Sequence, residues 1–414
     1  MASEHSPQPP LSLRQAWEEA RQSHPSLRSA AAGTEAARER ITQASAWEDP
    51  VAGLELMRRG TRNPVKYSEV ELSLSQKIPL TSQRRLRTEL ARAEAGMVAA
   101  EEQGASFELY VDLVKAFHEL HAAREQRRVL LEIEPLLRRA ADAARARLAE
   151  GGVPATGVLL IEQERLRLRE ELLGMDLEIA RAATELNSLR QRPLDEPIPE
   201  LQLATAGEGD PQAGDLQADR AGELIAEALS ARPSLRAAEA RITAAEQGAK
   251  LSRAWLPDPE LMLKARHMNG GTRLVEDYDT GIAVSLPWFN RGRYRAAVRE
   301  AGALQRAAEA EAGVLRTRTA AELRGTLHEL ATARLRIQFL LTERLPLAER
   351  LLSASLTGID SGRGGVMELL EARRSLSETR NALTLARVSE AVTAARLRAL
   401  LGRPAAPAGT VHAP

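Results

Sequence analysis

Apolar residues recur every three to four positions over residues 12–23 and 26–46, almost without helix breakers, and this spacing predicts two helices. Between Pro50 and Pro79 the period changes to two. Val70, Leu72 and Leu74 alternate strictly with Glu69, Glu71, Ser73 and Ser75, and Ala52, Leu54 and Leu56 alternate less cleanly with Gly53 and Glu55. The alternation predicts strands at about 51–58 and 67–78, joined by a polar stretch containing Gly60 and Pro64. Helical spacing resumes near Ser82 and holds to Ala149, with Pro135 as an expected kink. That is roughly 100 Å of helix, far more than a globular domain needs. Phe107, Val111 and Val114 form one apolar seam along it, and Tyr110, Leu113, Phe117 and Leu120 form a second. One seam serves one partner, so two seams imply a neighbour on each side.

The long helix ends at a glycine-rich turn, about 150–157, and a second helix runs back over 158–191. Residues 194–220, rich in Pro, Gly and Asp, form a linker in which little could build a core. The order then repeats: a helix at 233–254, strands at about 259–267 and 278–287, and a long helix from Arg291 to about Leu356. A second glycine-rich turn at about 358–366 and a returning helix to Gly402 complete it. In the third strand Leu261, Leu263 and Ala265 face one way, while Met262, Lys264 and Arg266 face the other.

Landmarks recur at an offset of about 208–211 residues. His24-Pro25-Ser26-Leu27 returns as Arg232-Pro233-Ser234-Leu235, and Trp47 with Asp49-Pro50 returns as Trp255 with Asp258-Pro259. Ile78-Pro79 matches Leu286-Pro287, His118-Glu119-Leu120 matches His328-Glu329-Leu330, and Pro135 matches Pro346. The chain therefore divides into repeats at 11–193 and 221–404, with ends 1–10 and 405–414 that read as disordered.

Composition narrows the function. Aromatic residues make up only 3%, as expected of long helices that need little bulky filling. Lys plus Arg and Asp plus Glu each number 57, so the zero net charge gives no support for a nucleic-acid partner. The absence of cysteine excludes disulfides, thiol catalysis, Cys-based metal sites and an acylated cysteine within this sequence. No apolar run reaches about 18 residues, so no transmembrane helix is expected. The opening residues lack the apolar core of a signal peptide, which implies a cytosolic protein or a leader already removed. No catalytic constellation, phosphate-binding loop or nucleophile elbow is present, and no cofactor is implied.

Four strands in two hairpins cannot close a barrel, and their apolar faces need cover. One apolar and one polar face on strands near ten residues is what a membrane β-barrel wall requires. Lipid forbids open edges, so several copies must close the sheet together. Three copies would supply twelve strands, and four would close equally well. A soluble coiled-coil scaffold would account for neutral charge and long helices, but not for four amphipathic strands at equivalent points of two repeats.

The duplicated order of helix, hairpin, long helix, glycine-rich turn and returning helix resembles the outer-membrane efflux protein family typified by TolC. The likeness rests on His-Pro-Ser-Leu and Arg-Pro-Ser-Leu opening each repeat, the Trp and Asp-Pro before each first strand, and Gln76-Lys77-Ile78-Pro79 and Ser285-Leu286-Pro287 after each second strand. It spans about residues 11–404 and is nearest the CzcC/CusC-like branch that serves heavy-metal exporters. The resemblance implies a mainly α fold with a membrane β-barrel part: a homotrimer with a 12-stranded barrel in outer-membrane lipid, continuing as an α-helical barrel in the periplasm. The linker would then lie in an equatorial region. It implies a periplasmic adaptor and an inner-membrane pump of the resistance–nodulation–division (RND) type as partners, with substrate passing through without chemistry.

Carried onto this sequence, the periplasmic tips comprise Arg147, Glu150, Gly151, Gly152, Val153, Val158 and Leu159, and Gly362, Arg363, Gly364, Gly365, Val366, Leu369 and Leu370. The resemblance makes these the adaptor contacts, although Gly157 stands where many relatives carry an Asp. The glycines also serve simply as turn residues. Asp360 and Glu368, with Glu150, are candidates for an acidic ring at the mouth, against the plainer reading that charges are common at helix ends. His118 and His121 have metal-ligand spacing, but only His118 has a counterpart in the second repeat, so it reads as a packing residue and no metal site is expected. Lys264 and Arg266 read as a solvated lumen wall rather than a selectivity device.

Overall fold

The computed structural model describes residues 9–57, 69–149, 155–203, 220–268, 274–275, 277–361 and 365–403. Both expected disordered ends, apart from Pro9 and Pro10, lie outside them, as do most of the linker and the loop joining the first two strands. The fold is mainly helical and separates into two compact units, each drawing on both halves of the sequence: Met1–Arg28, Gln103–Arg232 and Thr317–Pro414 in one, Ser29–Glu102 and Pro233–Arg316 in the other.

The second of these units holds a four-stranded sheet. Its strands are β2 (Val51–Met57), β3 (Glu69–Lys77), β5 (Glu260–Met268) and β6 (Asp277–Ala283), antiparallel throughout in that spatial order. The middle ladder, β3 with β5, joins the two sequence repeats, with Leu74 opposite Leu263 and Glu71 opposite Arg266. β6 is shorter than its alternation suggests. Its ladder stops where Ala283 meets Glu260, the first residue of β5, and Pro287, which has no N–H to donate, opens a 3₁₀ turn over Pro287–Asn290. Helices α2 (Pro25–Ser45) and α6 (Pro233–Arg253) both begin on proline, whose missing N–H is of no consequence in a first turn.

The first unit is built from helices. The elements are β1 (Leu11–Ser12), α1 (Leu13–Ser23), the part of α3 (Gln83–Ala149) from Gln103 onward, α4 (Ala155–Arg190), β4 (Leu201–Gln202) and α5 (Ala221–Ala231). They are joined by the part of α7 (Arg291–Phe339) from Thr317, α8 (Leu345–Ser361) and α9 (Val366–Leu400). Ser12 starts α1 with a reciprocal cap, accepting from Gln15 N while its own N–H bonds Gln15 Oε1. The second α3 seam is buried as expected: Tyr110, Leu113, Phe117 and Leu120 pack with Trp17 of α1 and Leu186 of α4. An equivalent core joins Leu224 and Ala228 of α5 to Leu323, Leu327 and Leu330 of α7 and Leu397 of α9.

Two expectations are corrected. The linker is not bare of core residues, because Ile198 is buried in the α1–α3–α4 core and β4 pairs in parallel with β1. Arg124 fixes this stretch by donating to the carbonyls of Ile198 and Pro199, each at 2.7 Å. The second long helix is not continuous either. A π turn, Leu340–Arg344, interrupts it before Pro346, whereas α3 passes Pro135 as a single helix. The wider turn gives room for a ring that would otherwise meet the carbonyl four residues back.

Candidate membrane wall and helical hairpin tip

The register sorts the sheet completely. Every charged residue of the four strands lies on one face: Glu55, Glu69, Glu71, Lys77, Glu260, Lys264, Arg266, Asp277 and Asp279. The other face carries Leu54, Leu56, Leu72, Leu74, Leu261, Leu263, Tyr278 and Ile282. These apolar side chains are exposed, Leu54 by 65%, Tyr278 by 76% and Ile282 by 72%. A contiguous apolar surface of this size in water is a strong liability, so it marks a place where something apolar belongs. On the polar face the cations are tied to carboxylates. Lys264 Nζ lies 2.6 Å from Glu71, and Arg266 contacts Glu71 at 3.3 Å and pairs with Asp279.

One end of the sheet is marked by aromatic residues. β2 and β5 start there, and β3 and β6 finish there. Trp47 precedes β2, Trp255 precedes β5, and Trp288 and Phe289 follow β6. All four are exposed, and Trp255 stacks against Tyr294 at a ring separation of 5.8 Å. Three of the four tryptophans in the sequence are gathered there. Tryptophan favours the boundary between hydrocarbon and water, where its ring is buried and its N–H stays solvated. The sheet thus has the side and the end that a lipid-facing wall has.

In the helical unit, the hairpin ends are held by a core of small and branched residues. Ala140, Ala141 and Ala144 of α3 meet Ile161 of α4, Leu352 and Ile359 of α8, and Leu369, Ala372 and Leu376 of α9. Val158 and Val366 pack on its margin. Leu369 is therefore interior, only 1% exposed, while Leu370 joins a neighbouring cluster with Leu137 and Leu168. Leu159 is different, being 67% exposed. Gly365 caps α9 in an extended conformation, and its N–H donates to Glu368 Oε2 at 3.4 Å, so Glu368 serves the helix start. Glu150, Gly151, Gly152, Val153, Gly362, Arg363 and Gly364 lie outside the described residues, and Arg147 and Asp360 are placed only as positions near the ends of α3 and α8.

A family model for outer membrane efflux proteins matches residues 16–190 and again 224–403. The chain belongs to this outer membrane efflux family. Among curated proteins, it is 25% identical to the cobalt-zinc-cadmium resistance protein CzcC of Cupriavidus metallidurans over 382 residues, covering 90% of this chain and 85% of that one. Among solved structures, CusC superposes with a TM-score of 0.79 at 17% identity, covering 94% of this chain and 92% of its own. The outer membrane protein VceC of Vibrio cholerae gives a TM-score of 0.77 at 19% identity, covering 94% and 96%. Family membership places this efflux protein in the outer membrane with a periplasmic extension, makes it a channel protein rather than an enzyme, and sets aside the soluble scaffold.

Elsewhere the efflux protein fills in what residue patterns left blank. His118 is partly buried against Phe117, and burial, together with the neighbouring His121, pushes its pKa down to about 4. It is a neutral packing residue at pH 7, and no cluster of three metal-binding side chains occurs among the described residues. Of the tryptophans at the aromatic end of the sheet, Trp47 and Trp255 stood out in the sequence only as repeat landmarks, and Trp288 did not stand out at all. Their signal was position, since each Trp flanks a strand terminus. Arg373, buried between Glu164 at 2.6 Å and Glu171 at 3.4 Å, ties α9 to α4, and nothing in the linear pattern announces it.

Proposed function

We propose that this chain is the exit duct of a tripartite efflux system. Three copies close a twelve-stranded barrel in the outer membrane, and their helices line a periplasmic passage. An inner-membrane pump of the RND type delivers the substrate, and a periplasmic adaptor grips the helical tips. The observation that carries the reading is the sheet, with an exposed apolar face, all charge on the reverse and tryptophans at one end. Exposed leucines at helical spacing on α4, namely Leu159, Leu166, Leu173 and Leu177, support a neighbouring copy or adaptor beside that helix. Likeness to CzcC supports divalent heavy-metal cations as the cargo.

Within the tips, Leu159 is the residue best disposed to touch an adaptor, while Val158, Val366, Leu369 and Leu370 shape the hairpins beneath it. Arg147, Glu150–Val153 and Gly362–Gly365 complete the proposed contact set, with Asp360 and Glu368 at the mouth. The test is direct. Detergent-purified protein is expected to have a trimer mass by native mass spectrometry and to give steps of conductance in a planar lipid bilayer. A monomer that gives no conductance under any condition would remove the duct reading.

A further inference from the structure

The end of the sheet that carries the aromatic residues is also basic, and the two repeats handle that charge differently. In the first repeat the cations are engaged. Lys77 and Arg87 meet Glu48, Arg85 meets Glu89, and Arg84 donates to the carbonyl of Ser45. In the second repeat, the stretch from Leu286 to Arg299 contains four arginines, Arg291, Arg293, Arg295 and Arg299, and no carboxylate. All four are exposed, and none forms a salt bridge among the described residues. Three of them open α7, where cations oppose the dipole of the helix, so they do not serve its start. Arg291 and Arg295 lie one turn apart on the same face as Tyr294, whose ring packs on Trp255. Trp288 and Phe289, both exposed, stand just before them in the chain.

Unengaged guanidinium groups thus sit beside the aromatic belt, at the end where the exposed apolar face of the sheet stops. We propose that this corner binds anionic phospholipid, with Arg291 and Arg295 taking the headgroup phosphate and Trp255, Trp288 and Phe289 lying along its acyl boundary. The inference rests on the membrane-wall reading, in which the tryptophans mark the limit of the hydrocarbon. At that depth lipid phosphate is the abundant anion, and a guanidinium can meet two of its oxygens at once. A zwitterionic headgroup offers the same phosphate but cancels its charge with an ammonium. The preference is therefore for lipid of net negative charge, and it belongs to the leaflet on the side of the helices.

The test reconstitutes the full chain in vesicles of equimolar phosphatidylcholine and phosphatidylglycerol. One lipid or the other carries brominated acyl chains, which quench nearby tryptophan. Brominated phosphatidylglycerol is expected to quench more, corresponding to an enrichment of about fivefold beside the protein. Arg291→Gln with Arg295→Gln should bring the two quenching levels close together. Arg85→Gln, which removes an engaged cation from the matching stretch of the first repeat, should leave the difference in place. A difference that survives the double substitution, or that falls as far with Arg85→Gln, overturns the proposal. Equal quenching of the wild type by both lipids overturns it too, even if the double variant fails to insert, and conductance from those vesicles would leave the duct intact. Quenching by neither lipid places the protein outside the bilayer and removes the wall and the lipid site together.

Discussion

The two halves close their returning helices with the same turn, secured differently. α4 ends at Gln191 with φ of 56°, and α9 ends at Gly402 with φ of 64°. The next residue donates its N–H back to the helix in each case, Arg192 to Asn187 O at 2.9 Å and Arg403 to Arg398 O at 3.0 Å. The same arginines then reach a glutamate on the short helix of their own half: Arg192 meets Glu19 at 3.1 Å, and Arg403 meets Glu227 at 2.7 Å. At Gly402 an added Cβ would sit 2.5 Å from Ala231 O, so only glycine fits. The first half tolerates glutamine and adds a second arm, Arg190, whose Nε lies 2.8 Å from Glu19. Duplication preserved the geometry of the closure and its arginine–glutamate tie, while one copy adds the backbone freedom of glycine and the other a second arginine.

The largest effect should come from removing the freedom. Gly402→Ala combines a left-handed φ with a backbone clash and is expected to cost about 2–4 kcal/mol. Gln191→Ala, already left-handed without glycine, should be close to neutral. Thermal unfolding in detergent, followed by helical circular dichroism, reads both, and equal losses would abolish the asymmetry.

Next comes the charge. Glu19→Gln strands Arg190, whose side chain is only 7% exposed, and should cost about 2 kcal/mol. Glu227→Gln breaks a more exposed pair and should cost less than about 1 kcal/mol. The opposite order of melting temperatures would show that the second arm does not matter.

The repeated histidines differ as well. His118 has its folded pKa lowered from 6.5 to about 4, while His328 is exposed. The unfolded chain takes up that proton first on acidification, so stability should fall as pH drops from about 6.5 toward 4, by about 1–2 kcal/mol. His118→Gln should flatten this slope. A slope that survives this substitution would transfer the effect to another group. The smallest effect is a gain: Gln191→Gly relieves the left-handed strain and should add about 0.5–1 kcal/mol, less if the added chain entropy offsets it.

Period alone made the faces of the sheet legible. Glu69 to Ser75 alternate so cleanly that the charged and apolar sides could be assigned before any pairing was known. The β3–β5 ladder could not be, because period two fixes a face and leaves partner and register open. Once paired, Glu71 opposite Arg266 supplies the reason for that register. The helix seams were likewise readable at Tyr110, Leu113, Phe117 and Leu120, where apolar spacing is dense. The π turn before Pro346 was hidden, since the two prolines offer the same local signal and differ only in how the preceding turn yields. At the tips, the glycines revealed where the chain reverses. They could not reveal that Leu369 turns inward while Leu159 stays outside, which depends on how four helices meet.

Strands β2 and β6 each have a hydrogen-bonded neighbour on one side only among the described residues. In water such an edge invites any passing strand, and in hydrocarbon its unmet amides are costly. The proposed trimer satisfies both edges simultaneously, so stability is a collective property governed by mass action rather than by a single chain. Dilution should then act as a denaturant. A variant that leaves every contact within one copy intact could still be lost in the cell if three copies do not meet before proteases find the first.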